Sequence, residues 1–452
     1  MGISAELAAQ LAAMDTLSTE DIEALRLLML DFFAAAYAGY RLNRAFNRVA
    51  EQVVLSAGGK EEAWVLGASR RYPAGKAAFM NAAYGHGAEL DDGNKKAMGH
   101  AGVHLIPAVF ALAEKIQASE KQVLLALATG YEAYIRLSSA AQPGMVERGF
   151  HSTGFCGTLA CAAACAKLLG LGAEGLENAI ALATTMTGGL LSYGDSRPYI
   201  KPLNPGKAAE NGLMAAELAA AGMLGPAEAL EGPNGWFHAA AEQIDESMLQ
   251  GGGRLLLHDC YIKLYPSCRH THCGIDAAVD LISGVDPALI DEAEVYIYPN
   301  AIKLAGQILY PADADETKFS IHYTLAKTLL DGHYGIEAMD PPDLSPRVRE
   351  MIGRIRLIPD ASLEDRRQGI RGARLVLHLK DGTCLEKTVL VPRGDPERPL
   401  SRADVLEKLR VCAGETHLAE LPALIRCIED FGEEKPFVFP LALPVSGVEN
   451  AL

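Results

Sequence analysis

The chain reads as mainly α: a large all-helical domain built from both chain ends, plus a smaller α/β (α+β) lid domain set between them. Three observations predict this. From Ser18 to about Gly225, apolar residues recur at helical spacing in an alanine-rich background. Strand texture is confined to AEVYIYPN (293–300), IRLIPD (355–360) and GARLVLHLKDGTCLEKTVLVP (372–392). After RGDPERPLSRADVLEKL the helical pattern returns and runs towards the end of the chain. A length of 452 residues also exceeds what one compact core holds comfortably. The expected division is therefore 1–267 helical, 268–395 lid and 396–452 helical return.

Each element has a local reason. In STEDIEALRLLMLDFFAAAYAG, Ser18 offers an N-cap and Gly39 a stop around an apolar helix. GTLACAAACAKLLGLG (157–172), LENAIALATTMTGGLLS (176–192) and GKAAENGLMAAELAAAGML (206–224) carry small residues that let helices approach closely. In the late strand-rich region, Asp381-Gly382 is a strong two-residue hairpin turn.

Composition excludes several function classes. A chain that is 49% hydrophobic and 22% charged is globular. A net charge of −16 with no basic stripe argues against nucleic acid, and an anionic small ligand would need its own local cations. No apolar run reaches membrane-spanning length, no export signal is legible, and MGISAE fails the myristoylation pattern at Glu6. The nine cysteines then read as reduced thiols of a cytoplasmic protein.

Four segments carry candidate chemistry. GHGAELDDGNKKAMGHAGVHLIPA (85–108) crowds His86, Glu89, Asp91, Asp92, His100 and His104 into a glycine-rich stretch. Asp91 with His100 reads as functional there, whereas His104 and Lys95 read as a helix end and a solvated loop. In RGFHSTGFCGTLACAAACAKLLG (148–170), His151 stands at the start of a helix, either as a simple cap or where partial positive charge favours an anion and a neutral imidazole. In SRPYIKPLNPGKAAENG (196–212), Lys201 precedes a helix-opening turn, and position alone leaves it either functional or a surface charge. Lys207 reads as a solvated helix-start lysine. In YIKLYPSCRHTHCGIDAAVDL (261–281), Lys263 and Arg269 could clamp a carboxylate. The bunch Cys268, His270, His272, Cys273 lacks a second ligand pair at finger-like spacing, so no zinc site is expected. Cys156, Cys161 and Cys165 read as small helix-packing residues, not as an iron–sulfur set.

Taken in order, these segments resemble the MmgE/PrpD family along nearly the whole chain. The likeness rests on AELDD followed by GHAGVHLIPAVFALAE, on GFHSTGFCGTLACAAACAKLLGL, KPLNPGKAAENGLMAAELAAAG and YPSCRHTHCGIDAAVDL, and on KFSIHYTLAKTLLDG (318–332). The resemblance implies a helical domain with an α/β lid, a homodimer, and a site that needs neither metal nor organic cofactor. Family members include 2-methylcitrate dehydratase, cis-aconitate decarboxylase and iminodisuccinate epimerase. All move a proton or a carboxylate at carbon next to a carboxylate, in small di- or tricarboxylates. Carried over by motif, the catalytic set is His100, His151, Asp91, Lys201 and His272. Lys263, Arg269, Tyr323, Glu89 and Asp92 would contact substrate. A dehydratase-type lyase is the expected activity, with decarboxylation and epimerisation as alternatives and non-catalytic carboxylate binding behind them. Two departures bear on substrate. Glu89 replaces the first aspartate of the common DFDD, and Asn204 replaces the histidine of the common KxLHxG.

Overall fold

The computed structural model describes residues 2–192, 200–365, 368–432 and 434–439. It is mainly helical with small sheets. The helices that matter for the site are α1 (Thr19–Leu42), α2 (Ala74–His86), α3 (Gly102–Ile116), α4 (Glu120–Ala140), α5 (Ser152–Leu168), α6 (Leu203–Ala220), α7 (His272–Ile282), α8 (Ile321–Asp331) and α9 (Arg402–His417). Strands β1 (Ile290–Ile297), β2 (Ile355–Pro359), β3 (Ala373–Leu379) and β4 (Cys384–Val389) form one sheet in the order β4-β3-β1-β2. The β1–β2 pair is parallel, and the β1–β3 and β3–β4 pairs are antiparallel. The turn at Asp381-Gly382 joins β3 to β4, with Gly382 at φ 89° and the Asp381 carboxylate accepting from Thr383 N at 2.8 Å.

Buried apolar residues fall into two clusters. The larger gathers α1 to α6 together with Leu400, Val405, Leu409 and Cys412, so the late helix α9 packs back on α1. The smaller gathers α7, α8 and the inner face of the four-stranded sheet. Ser18 caps α1 through a reciprocal bond with Asp21, as its position at the head of an apolar run predicts.

Gly39 does not stop that helix, which runs on to Leu42. Its reason is packing. A Cβ at Gly39 would lie 1.9 Å from the Tyr84 carbonyl, so only glycine lets α1 cross α2 at this distance. That crossing fixes the end of α2, from which the first candidate segment departs.

Candidate active site

The stretch 85–104 is not a flexible, solvated loop. Nearly every residue of it is buried, and it crosses the molecule between α2 and α3. Asn94 turns the chain by accepting from the backbone N–H of Lys96 and Ala97, each at 3.0 Å. Gly93 and Asn94 pair with Tyr261 and Cys260, which ties this stretch to the one bearing Lys263 and Arg269. Gly102 opens α3 against the Asp92 carboxylate, which accepts from its N–H at 3.0 Å, and a Cβ there would meet the Tyr131 hydroxyl at 2.5 Å.

These constraints assemble a buried polar cluster. His86, the last residue of α2, lies ring to ring with His100 at 5.0 Å and with His151 at 5.9 Å. Asp91 holds two of the three rings, through His86 Nδ1 at 2.8 Å and His100 Nδ1 at 3.3 Å. His100 Nδ1 also lies 2.6 Å from the Asp92 carbonyl. His151 is the N-cap residue of α5, and Asn204 at the start of α6 donates to its Nδ1 at 2.9 Å. Glu89 is buried in the left-handed region at φ 54°, a strained position for a residue with a Cβ. Its carboxylate pairs with Lys201 and with Lys263, the latter at 3.3 Å, and its carbonyl accepts from Lys263 at 2.9 Å.

The charges in the cluster oppose burial in defined ways. Burial alone would raise the Glu89 carboxyl, but Lys201 and Lys263 beside it outweigh that and hold it well below the usual carboxylate range. For Asp91 burial is likewise outweighed, here by His100 and His86, and its pKa falls. Burial, with the Asp31 and Asp91 charges, pushes Asp92 up to about 7. Burial is the main force lowering His100 to about 3, against the pull of Asp91. It also takes His151 well down, with Lys201, His86 and His100 acting in the same sense. His100 and His151 are therefore held neutral.

A second polar set sits beside the smaller core. Arg269 pairs with Asp395, donates to His272 Nδ1 at 2.8 Å and stacks over the Tyr261 ring at 4.4 Å. His272 Nε2 lies 3.2 Å from the Ser267 carbonyl, so both ring nitrogens are bonded within the protein. A cavity beside Arg269 is lined by Lys95, Arg371, Ile370, Val391 and Asp395. Two of its three cations are already paired, Lys95 with Asp395 and Glu397 and Arg269 with Asp395.

The structure thus brings Glu89, Asp91, Asp92, His100, His151, Lys201 and Lys263 together, with Arg269 and His272 adjoining. Lys263 and Arg269 do not form one clamp: the first is spent on Glu89 and the second on Asp395. Tyr323 is placed apart. It is buried in the smaller core, where its hydroxyl donates to the Ala338 carbonyl at 2.6 Å and accepts from Asp343 N at 2.9 Å. Lys95 is no solvated loop lysine, since it pairs with Glu397 at 2.7 Å and Asp395 at 3.4 Å. His104 is fully buried in α3 against Tyr134 and Cys161, and serves packing. Positions 196–199 of the third segment lie outside the described residues.

Sequence reasoning passed over His86 as a partner of Asp91, and missed Lys408, Asp31 and Lys318. Lys408 in α9 pairs with Asp31 and donates to the carbonyls of Leu90 at 2.7 Å and Lys263 at 2.8 Å, pinning both site segments. Lys318 does the same for the Gly87 carbonyl at 2.8 Å. The available signal was a lysine on the buried stripe Val405, Lys408, Leu409, Cys412, and an aspartate inside the apolar run of α1.

Within the described residues, His86, Asp91 and His100 offer atoms within 4.8 Å of one another, close enough for a metal ion. The chemistry of the set disfavours one: both imidazole Nδ1 atoms already face the single Asp91 oxygen, and Lys201 and Lys263 stand close by. The cysteine–histidine bunch at 268–273 is dispersed, with His270 bonded to Tyr298 and His272 to Arg269. No helix among the described residues is long and apolar enough to cross a membrane.

The chain is 26% identical over 482 residues to a cis-aconitate decarboxylase of Aspergillus terreus, spanning 98% of this chain and 96% of that one. It is 29% identical over 361 residues to the human cis-aconitate decarboxylase, spanning 76% of this chain and 73% of the relative. The mouse protein of the same name is 28% identical over 359 residues, with 76% and 72% covered. The MmgE/PrpD N-terminal domain matches residues 5–247 and the MmgE/PrpD C-terminal domain residues 265–426, so the chain belongs to the MmgE/PrpD family.

Proposed function

We propose that this protein is a lyase acting on a small polycarboxylate, and that decarboxylation of a tricarboxylate of the cis-aconitate type is its reaction. The observation that carries the lyase reading is the buried contact set His86, His100 and His151 beside Glu89, Lys201 and Lys263. The decarboxylase reading draws on relatives of that name over most of the chain. It revises the expectation of a dehydratase, which stays as the second reading because an elimination also needs a base backed by a carboxylate, as His100 is by Asp91.

The chemistry asks little of the protein beyond placement and charge. The bond from carbon to the departing carboxylate breaks, carbon dioxide leaves, and the freed electron pair moves towards a remaining carboxylate. A proton must then reach carbon. His100 suits this step, since its Nδ1 faces Asp91 and the Asp92 carbonyl, which leaves Nε2 to carry and deliver the proton. A substrate carrying several negative charges would raise His100 from its low unliganded value by the same Coulomb argument that Asp91 exerts. Lys201 and Lys263 would hold the carboxylates that stay. On this reading the lid is 268–395, the site lies where it meets the helices, and the working unit is a homodimer in the cytoplasm.

Proton NMR in D₂O with cis-aconitate, citrate, 2-methylcitrate and iminodisuccinate tests the reading. Itaconate from cis-aconitate supports it. A vinyl product from citrate or 2-methylcitrate would move the assignment to hydro-lyase, and deuterium entry without a new compound to epimerase. No change with any of the four would defeat it.

A further inference from the structure

Two of the clustered histidines are backed by different chemistry. His100 Nδ1 faces two acceptors, a carbonyl and a carboxylate, so it carries the proton and Nε2 is bare when the ring is neutral. His151 Nδ1 faces the amide nitrogen of Asn204, which only donates, so Nδ1 is bare and Nε2 is the N–H. The two rings are held in opposite tautomers. A second ring proton, on His151 Nδ1, would oppose the Asn204 N–H, and Lys201 beside it disfavours an imidazolium as well.

We propose that Asn204 is a positioning residue that locks His151 as a neutral Nε2–H donor, making His151 a fixed hydrogen-bond donor to developing carboxylate charge and leaving proton transfer to His100. This rests on the lyase reading above and divides its labour between the two rings. Asn204 suits the task by placement. It lies in the first turn of α6, packed so that a Cβ on Gly154 would meet its own Cβ at 3.1 Å, and α6 against α5 is one of the most extensive helix contacts in the molecule. A neutral imidazole kept from titrating can stabilise negative charge without taking part in the proton bookkeeping. A histidine at position 204 could either donate or accept, so it would not fix one tautomer of His151 as the amide N–H does.

The test is ¹⁵N NMR of the full chain labelled at histidine, with His151 assigned by its absence in His151→Gln. The unliganded protein at neutral pH is expected to show His151 bare at Nδ1 and protonated at Nε2, with His100 reversed. Asn204→Asp, which only accepts, should bring a proton to His151 Nδ1. Asn204→Leu should lower kcat on cis-aconitate about 10-fold or more with KM within about threefold, a smaller loss than deleting the donor itself. A wild-type His151 carrying its proton on Nδ1 would overturn the assignment, because the amide then faces the other way. A bare Nδ1 with unaltered turnover in Asn204→Leu would overturn the positioning role. If cis-aconitate is not turned over by the wild type, the substrate reading fails on its own, and the spectra still decide the tautomer.

Discussion

The polar cluster beside the larger core and the one beside the smaller core contain the same residue types, yet they are finished differently. Around His272 every ring nitrogen is bonded, with Arg269 on one side and the Ser267 carbonyl on the other. Around Asp91 the bonding is incomplete: among the described residues, His86 Nε2 and Asp91 Oδ1 are buried without a hydrogen-bond partner. Buried polar atoms left unpaired are costly, and a native fold keeps them where something else requires it. On the proposed lyase reading, the first cluster keeps hydrogen-bonding capacity that a ligand would use, whereas the His272 ring is already bonded within the protein. Kinship in sequence motif does not separate the two; the hydrogen-bond account does.

The comparison breaks most sharply through the two histidines. His100→Gln is expected to lower kcat about 1,000-fold, within the range for losing a proton-transfer group, with little change in the unfolding midpoint. His272→Gln is expected to leave kcat within about tenfold of wild type and to cost about 1–3 kcal/mol of stability, by stranding Arg269 and the Ser267 carbonyl. Steady-state kinetics and thermal melts on the same preparations decide this. Equal catalytic losses for both would erase the distinction between the clusters.

The next effect is energetic. Lys201 is 9% exposed and Glu89 3%, whereas the Lys121–Glu434 pair on the surface is 54% and 73% exposed. Lys201→Met should destabilise the protein by about 3 kcal/mol, because a buried carboxylate loses one of its two lysines. Lys121→Met should cost less than about 1 kcal/mol. Adding Glu89→Gln to Lys201→Met should recover much of the loss without restoring activity, a coupling that a double-mutant cycle by denaturant unfolding measures directly. Additive effects would show that Glu89 is not the partner on which Lys201 depends.

Much of this site was legible in the chain, and the reason is local. Asp91, His100, His151 and the helix that follows it sit in segments whose chemistry is out of keeping with helix packing. The hairpin at Asp381-Gly382 and the cap at Ser18 are short-range signals of the same kind. What could not be read depends on pairings across the chain. Lys408 reaches Asp31 over 377 positions, and Lys318 reaches Gly87 over 231. Gly39 looked like a stop because glycine ends helices, but its role is set by Tyr84, a residue of another helix. Tyr323 sat in a motif matched by position, and only the tertiary structure shows its hydroxyl occupied by the Ala338 carbonyl and the Asp343 N–H.

The smallest expected effect separates two adjacent carboxylates. Asp91 is lowered and Asp92 raised to about 7, although both are buried, because Asp91 faces His100 and His86 while Asp92 faces Asp31 and Asp91. The signs of their linkage to stability are therefore opposite. Asp91 stabilises above the unfolded pKa of 3.8, and that contribution is lost as the pH falls through its depressed folded value. Asp92 contributes most below 3.8, and its contribution is lost as the pH rises towards about 7. Asp92→Asn keeps an acceptor for the Gly102 N–H and a partner for the Tyr131 hydroxyl while removing the titration. Its unfolding midpoint, relative to wild type, should therefore climb by a few degrees between about pH 4 and pH 7 and then level off. With the scan extended below about pH 4, Asp91→Asn should lose ground to wild type as the pH rises towards 3.8 and stay level above it, because it forfeits the ionised form that His86 and His100 favour. Melting curves for both variants at matched ionic strength measure the two slopes. A difference from wild type that does not vary with pH, in either variant, would mean that the neighbouring charges do not split the pair as their positions require.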